Sequence, residues 1–126
     1  INEKNNGESV LEIISKNLLN SIHDISSGGI IVSLAEMSMG TNFGVKINKP
    51  TKLANLYEYL FGEDQSRYII EVDEQNLKKV DKILKNNNIY YENIGITQKD
   101  YFEVDKEMKI KNKDLFKINN NWYTKY

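Results

Sequence analysis

The stretch HDISSGGIIVSLAEMSMG, residues 23–40, decides the fold that this sequence predicts. It overlaps the short apolar segment SIHDI, in which two isoleucines two residues apart indicate a strand at 21–25. Two serines and two glycines then mark a turn, and the apolar residues that follow Gly29 recur at helical spacing. The predicted order is therefore a strand, a glycine turn and a mostly buried helix.

This turn is the first candidate for a binding site. A turn that leads into a helix offers unpaired backbone N–H groups and the positive end of the helix dipole, and glycines let an anion approach closely. Either the turn holds a phosphate or carboxylate, or Ser26 or Ser27 caps the helix that follows and the two glycines serve tight packing. His23, the only histidine of the chain, is either part of that site or a hydrogen-bonded structural residue.

A second candidate is LFGEDQSRYI, residues 60–69, where charged and amide side chains crowd a predicted helix-to-strand connection. The adjacent carboxylates of Glu63 and Asp64 could hold Mg²⁺ or orient a hydroxyl-rich ligand. The alternative is a solvated loop in which Arg67 pairs with one of them. The chain has 16 lysines and one arginine, so Arg67 either marks a position that needs a planar, bidentate donor or is there by chance.

The remaining patterns predict an α+β fold, a mixed β-sheet covered by α-helices. A capping box of Ser9 and Glu12 predicts a helix over 9–20. Strands are predicted at FGVKI, RYIIEV, IYYENIGI, YFEV and MKIK, and in RYIIEV the residues Tyr68, Ile70 and Val72 are expected to point inward. A helix with Leu53, Leu56, Tyr57 and Leu60 is expected to end at Gly62, and another follows a capping Asp73. The chain closes with a last helix or packed tail that contains Leu115, Ile118 and Trp122.

Composition limits the function classes. A length of 126 residues predicts one domain, 1–126, and the polar start at Ile1 suggests a piece of a longer multidomain chain with 1–8 as a linker remnant. A net charge of −1 does not indicate the basic surface with which proteins bind nucleic acid. The apolar runs are too short for a membrane span. The absence of cysteine excludes disulfides and thiolate metal sites and agrees with a cytoplasmic location. No nucleotide-binding glycine motif or His pair occurs, so no catalytic or metal-ligating residues are predicted.

Taken together, the two candidate segments carry a family resemblance. HDISSGGIIVSLAEMSMG resembles HDxSxGGLxxALAEMA, and LFGEDQSRYIIEV resembles LFGEDQxRYxV, of the large subunit of phosphoribosylformylglycinamidine synthase. GVKI, NIGIT and the closing NNWYTKY fit the same order. The first motif is shared with aminoimidazole ribonucleotide synthetase and related enzymes, whereas FGEDQSRY is specific to the synthase.

The resemblance implies a domain like the C-terminal domain of aminoimidazole ribonucleotide (AIR) synthase, in an ATP-dependent carbon–nitrogen ligase of purine biosynthesis. That enzyme converts formylglycinamide ribonucleotide and glutamine-derived ammonia to the amidine. The resemblance also implies that the full-length enzyme binds ATP and Mg²⁺ and that this part of it binds neither. This part alone is expected to be inactive. The implied partners are the other domains of the subunit, a glutaminase subunit or domain and the phosphoribosyl substrate. The implied substrate-binding residues are His23, Asp24, Ser26, Gly28, Gly29, Glu63, Asp64, Gln65 and Arg67.

Two departures from the family pattern leave alternatives open. Ser27 stands where the family usually has Asp, and EDQ at 63–65 stands where the substrate-contacting sister domain has ESQ. The domain could therefore line the active site or a pseudo-equivalent site. The other interpretations are a structural module that packs against its sister domains without binding a ligand, and the corresponding domain of aminoimidazole ribonucleotide synthetase.

Overall fold

The computed structural model describes residues 2–39, 41–49 and 55–121. Within these ranges the chain forms five helices and six strands. In chain order they are α1 (Asn2–Ser15), β1 (Ser21–Asp24), α2 (Gly29–Ser38), β2 (Phe43–Ile47), α3 (Leu56–Phe61), β3 (Tyr68–Glu71), α4 (Glu74–Asn86), β4 (Gly95–Lys99), β5 (Tyr101–Val104), β6 (Met108–Lys111) and α5 (Asn112–Asn121).

The strands form two sheets. The larger sheet has the order β4-β2-β5-β6 and is mixed, because β2 and β5 are parallel while the other pairs are antiparallel. The predicted α+β fold with a mixed sheet is therefore confirmed. The sequence did not predict that β1 and β3 leave this sheet and pair with each other, antiparallel, in a sheet of two strands.

Two apolar clusters hold the small sheet between them. The main cluster joins α2 and α3 to the mixed sheet, and its buried members are Ile25, Ile30, Leu34, Val45, Ile47, Leu60, Ile69, Phe102 and Val104. The second joins α1 to α4 through Ile13, Leu18, Val80, Ile83 and Leu84. Tyr68, Ile70 and Val72 were predicted to point inward from β3, and this is only partly right. Ile70 and Val72 pack on the second cluster, but Tyr68 is 39% exposed. Ile69, on the other face, is buried in the main cluster. Both faces of β3 are covered, so it has no single inward face.

The first helix differs most from its prediction. It begins at Asn2, inside the expected linker remnant, and Ser9 lies buried within it, donating from Oγ to the carbonyl of Asn5 at 2.8 Å. The predicted capping box at Ser9 is therefore wrong. The helix ends at Ser15, short of residue 20, because Asn17 takes a left-handed conformation with φ 51° and Leu18 N–H bonds back to Ile13 O.

Two smaller corrections concern chain segments after β3. Asp73 precedes α4 but makes no side-chain cap, because its carboxylate accepts from Asn20 Nδ2 at 2.8 Å. The strand predicted for IYYENIGI starts only at Gly95, and Tyr90 before it is 87% exposed. The last helix is present as α5. Trp122 lies outside the described residues, as do Leu53, Pro50 and the predicted helix stop at Gly40.

None of the helices in the described ranges is both long and apolar enough to cross a bilayer.

Gly29 sets the distance between α2 and α3. A Cβ built at Gly29 would lie 2.6 Å from Leu60 O and 2.7 Å from the carbonyl carbon of Phe61. Gly29 also has a φ of +69°, a region that costs other residues free energy. Because both the space and the backbone conformation require glycine, the two helices can meet here only through a residue without a side chain.

We predict that Gly29→Ala lowers the free energy of unfolding by about 2–4 kcal/mol, through overpacking and left-handed strain together. Gly7→Ala is the matched control. Gly7 lies within α1, and outside that helix the only atom of the described residues within 4 Å of its added Cβ is Tyr68 Oη, at 3.8 Å. Helix propensity should make that change neutral or stabilising by up to about 1 kcal/mol. Urea melts of both variants and the parent chain measure this, and equal midpoints for Gly29→Ala and the parent would contradict it.

Candidate functional site

The pairing of β1 with β3 brings the two candidate segments together. His23 lies opposite Ile69 and Asp24 opposite Tyr68 in the antiparallel register. Beyond the strand end, Ile25 N–H donates to the carbonyl of Arg67 at 2.9 Å. The turn of residues 25–29 and the loop of residues 62–67 therefore lie side by side, and they are called here the turn and the loop. All nine predicted site residues belong to the turn, the loop or the adjoining end of β1.

The N-terminus of α2 is capped from the loop. Gly28 is the N-cap residue, with φ 85°, and its N–H donates to Glu63 Oε1 at 2.7 Å. Neither Ser26 nor Ser27 caps the helix with its side chain, and both are exposed. The serine cap that we considered is therefore absent, and a carboxylate from 35 residues along the chain takes its place.

His23 joins β1 to α2. Its Nε2 lies 3.2 Å from Glu36 Oε2, and its Nδ1 lies 2.5 Å from the carbonyl oxygen of Asp24 and 3.6 Å from the Asp24 carboxylate. The imidazole side chain is 27% exposed. These contacts fit the hydrogen-bonded structural histidine that we considered. Glu36 was not among the predicted residues, and no local motif marks it, because its role depends on where α2 crosses β1.

Arg67 holds the loop in shape, and it forms one of the two ion pairs that we considered, the one with Asp64. Its Nη2 donates to the carbonyl of Gly62 and lies 3.4 Å from Asp64 Oδ2, while its Nε donates to the carbonyl of Asp64 at 3.4 Å. Glu63 does not pair with it, because that carboxylate is bonded to Gly28 N–H. The guanidinium therefore satisfies backbone carbonyls of a tight loop as well as one carboxylate.

The loop is also anchored to α1 at Ser66. Asn6 Nδ2 donates to the carbonyl of Ser66 at 2.8 Å, across 60 residues of sequence. Ser66 has φ 67°, and its buried Oγ has no hydrogen-bond partner within the described residues. Gln65 is exposed, and the structure gives its amide no partner in those ranges. Gln65 is thus the loop side chain that remains available to a ligand.

Tyr59 lies close to the loop. Burial raises the pKa of its phenol to about 12, with the Glu92 carboxylate acting in the same direction and Arg67 opposing it. The phenol is therefore neutral at physiological pH. Its partial burial fits packing against the main cluster, which it joins from α3.

The described residues do not form a metal site. No group of three or more His, Asp or Glu side chains in ranges 2–39, 41–49 and 55–121 could hold a metal ion. The two loop carboxylates considered for Mg²⁺ point to different partners, Glu63 to a backbone N–H and Asp64 towards Arg67.

The sequence matches a known protein family. Residues 2–106 match the family model described as AIR synthase related protein, C-terminal domain. The chain belongs to this family. The family predicted from the two motifs is therefore confirmed, and the match covers the turn and the loop alike.

Curated relatives carry the name of the synthase subunit. The chain is 42% identical over 125 residues to phosphoribosylformylglycinamidine synthase subunit PurL of Pelagibacter ubique, a match that covers 99% of this chain and 17% of the relative. It is 44% identical over 81 residues to the PurL subunit of Pyrococcus furiosus, covering 64% of this chain and 11% of that protein. The chain thus spans about a sixth or less of the length of these relatives.

Solved structures show the same fold. The structure described as T. maritima PurL complexed with FGAR superposes with a TM-score of 0.78 at 18% identity, covering 90% of this chain and 21% of that one. The PurLQS structure from Thermotoga maritima gives a TM-score of 0.79 at 19% identity, with the same coverage. At this level of identity the likeness establishes the architecture alone.

We predict that Arg67→Lys destabilises the chain by about 1–3 kcal/mol, the scale on which charged hydrogen bonds contribute. An ammonium cannot reproduce the planar fork that reaches Gly62 O and Asp64 together. Lys85→Arg is the control, since Lys85 forms an exposed pair with Asp81 and should change stability by about 0.5 kcal/mol or less. Denaturant melts decide the matter, and unchanged midpoint and slope for Arg67→Lys would show that Arg67 is dispensable for folding.

Proposed function

We propose that this chain is the C-terminal domain of a phosphoribosylformylglycinamidine synthase large subunit. The full-length protein would be the ATP-dependent amidoligase that converts formylglycinamide ribonucleotide and ammonia to formylglycinamidine ribonucleotide. The observation that carries the proposal is the 42% identity to the Pelagibacter ubique PurL subunit over 99% of the chain. The fold and the juxtaposed motifs support it.

In this reaction, as the family resemblance implies it, the substrate amide oxygen attacks the γ-phosphate of ATP and ADP leaves. Ammonia then adds to the activated carbon and phosphate leaves, which gives the amidine. The described residues of this chain do not fit an ATP–Mg²⁺ site, because they offer no metal-holding cluster and the sequence has no phosphate-binding glycine motif with its lysine. We therefore assign no phosphoryl-transfer step to this domain and place ATP and Mg²⁺ on other domains of the full-length protein.

We assign this domain a substrate-contacting surface formed by the turn and the loop. Asp24, Ser26 and Gln65 are exposed and would face the ligand, Gln65 from the loop and the other two from the turn side. The remaining predicted residues build the surface. His23 ties β1 to α2, Gly28 N–H binds Glu63, and Gly29 lets α2 approach α3. Asp64 and Arg67 shape the loop. The surface would close one side of a cleft whose other side belongs to a sister domain, with ammonia supplied by a glutaminase domain or subunit.

The second candidate function is a structural module without a ligand. It is favoured because both charges already have partners within the domain, Glu63 the Gly28 N–H and Arg67 the loop carbonyls and Asp64. The third interpretation, the corresponding domain of aminoimidazole ribonucleotide synthetase, is less well supported, because the relatives described above are named PurL.

In the full-length protein, Gln65→Ala should raise the KM for formylglycinamide ribonucleotide up to about tenfold, the effect of losing one hydrogen bond of about 1.4 kcal/mol. Gln75→Ala is the matched control, because Gln75 is an exposed glutamine in the first turn of α4, away from the turn and the loop. Steady-state kinetics with varied ribonucleotide measures both. Identical constants for both variants and the parent enzyme would favour the structural module.

The isolated 126-residue chain should neither hydrolyse ATP nor form the amidine, because the residues for nucleotide binding lie elsewhere in the proposed enzyme. Phosphate release and product formation are measured on the purified chain with ATP, Mg²⁺, ammonia and substrate. Stoichiometric ATP-dependent turnover would refute this.

A further inference from the structure

The part of the chain that builds the turn and the loop is strongly acidic. Segments 21–38 and 55–72 contain six carboxylates, one guanidinium and no lysine, although the whole chain has a net charge of only −1. The acidic residues are Asp24, Glu36, Glu58, Glu63, Asp64 and Glu71. Three of them, Asp24, Glu63 and Asp64, belong to the loop or to the end of β1 beside the turn, where their charge repels a phosphate of the same sign.

Two of the groups that could attract an anion are already engaged. The guanidinium of Arg67 donates to carbonyl oxygens of the loop and faces Asp64. The N–H of Gly28, at the positive end of α2, donates to Glu63 at 2.7 Å. What stays exposed and uncharged is a set of hydrogen-bonding groups, the hydroxyls of Ser26 and Ser27 and the amide of Gln65.

We propose that Glu63 is a positioning residue whose carboxylate clamps the loop to the turn and keeps phosphate away from it. The surface is then suited to an uncharged, hydrogen-bonding part of a ligand, such as hydroxyl or amide groups. The ligand class rests on the proposed function, but the role of Glu63 does not.

The clamp is effective because it is tethered. A phosphate must compete with a carboxylate that belongs to the same chain, and such an intramolecular group acts at an effective concentration of about millimolar or higher. The tether is short, since Gly29 packs directly on Leu60 and Phe61, just before the loop. The charge of Glu63 also complements the dipole of a helix that has no acidic residue in its own first turn.

The test follows the Gly28 and Gly29 amide signals by NMR in the 126-residue chain, with inorganic phosphate as the probe and sodium chloride at equal ionic strength as the blank. Three proteins are compared: the parent chain, Glu63→Ala, and Glu58→Ala. Glu58→Ala is the matched control because it removes the same charge from the neighbouring helix α3, where the Glu58 carboxylate accepts from Asn55 Nδ2. Synthase activity is not measured in this test, so this inference and the proposed function can fail separately.

We expect no saturable phosphate-dependent shift in the parent chain or in Glu58→Ala, and a saturable shift at Gly28 in Glu63→Ala. Hydrogen exchange of the Gly28 amide should rise about tenfold or more in Glu63→Ala alone, because a charge-assisted hydrogen bond is lost. A saturable shift in the parent chain would overturn the inference, and so would no shift in Glu63→Ala. If Glu63→Ala does not fold, Glu63→Gln keeps the side-chain volume and tests the same charge: faster Gly28 exchange supports the clamp, and unchanged exchange overturns it.

Discussion

The contact between the backbone of Gly29 and the backbone of Leu60 and Phe61 is the constraint on which the rest of this structure depends. A hydrogen atom in place of a side chain lets the start of α2 touch the end of α3, where any Cβ would come within 2.6 Å of a carbonyl oxygen. Because α3 ends there, the loop begins beside the turn, and Glu63 can reach Gly28 N–H. Two segments that are far apart in the sequence become one polar surface through the close approach that Gly29 allows.

The small sheet supports this surface although two strands alone are only marginally stable in water. β1 and β3 gain stability from the apolar clusters on either side, because Ile69 belongs to the main cluster and Ile70 packs on the second. The loop follows this arrangement, since Arg67 directly precedes β3 and its carbonyl accepts from Ile25 N–H. A mutation in either cluster would therefore disturb the turn and the loop without touching them.

Local patterns predicted the parts of the fold that depend on local chemistry. The glycine turn, the helix after it and the strands FGVKI, YFEV and MKIK lie where alternation and turn residues put them. Contacts between distant segments could not be read in this way. Asn6 binds the loop carbonyl of Ser66, and the buried Asn112 binds Ser38, although asparagine is so frequent here, 17 in all, that no single one stands out. The separate β1–β3 sheet and the partner of Glu63 depend on tertiary packing for the same reason.

The charge balance of the site has a consequence for any larger assembly. The turn and the loop hold one guanidinium against the carboxylates of Glu63 and Asp64, and that guanidinium is bonded within the loop itself. Lysines are instead concentrated on α4 and on the segment from β6 into α5. A phosphoribosyl ligand needs positive charge or free N–H donors around its phosphate. If the proposed ligand rests on this surface through hydroxyl or amide groups, we expect the donors for its phosphate to come from the opposite wall of the proposed cleft, on another part of the full-length protein.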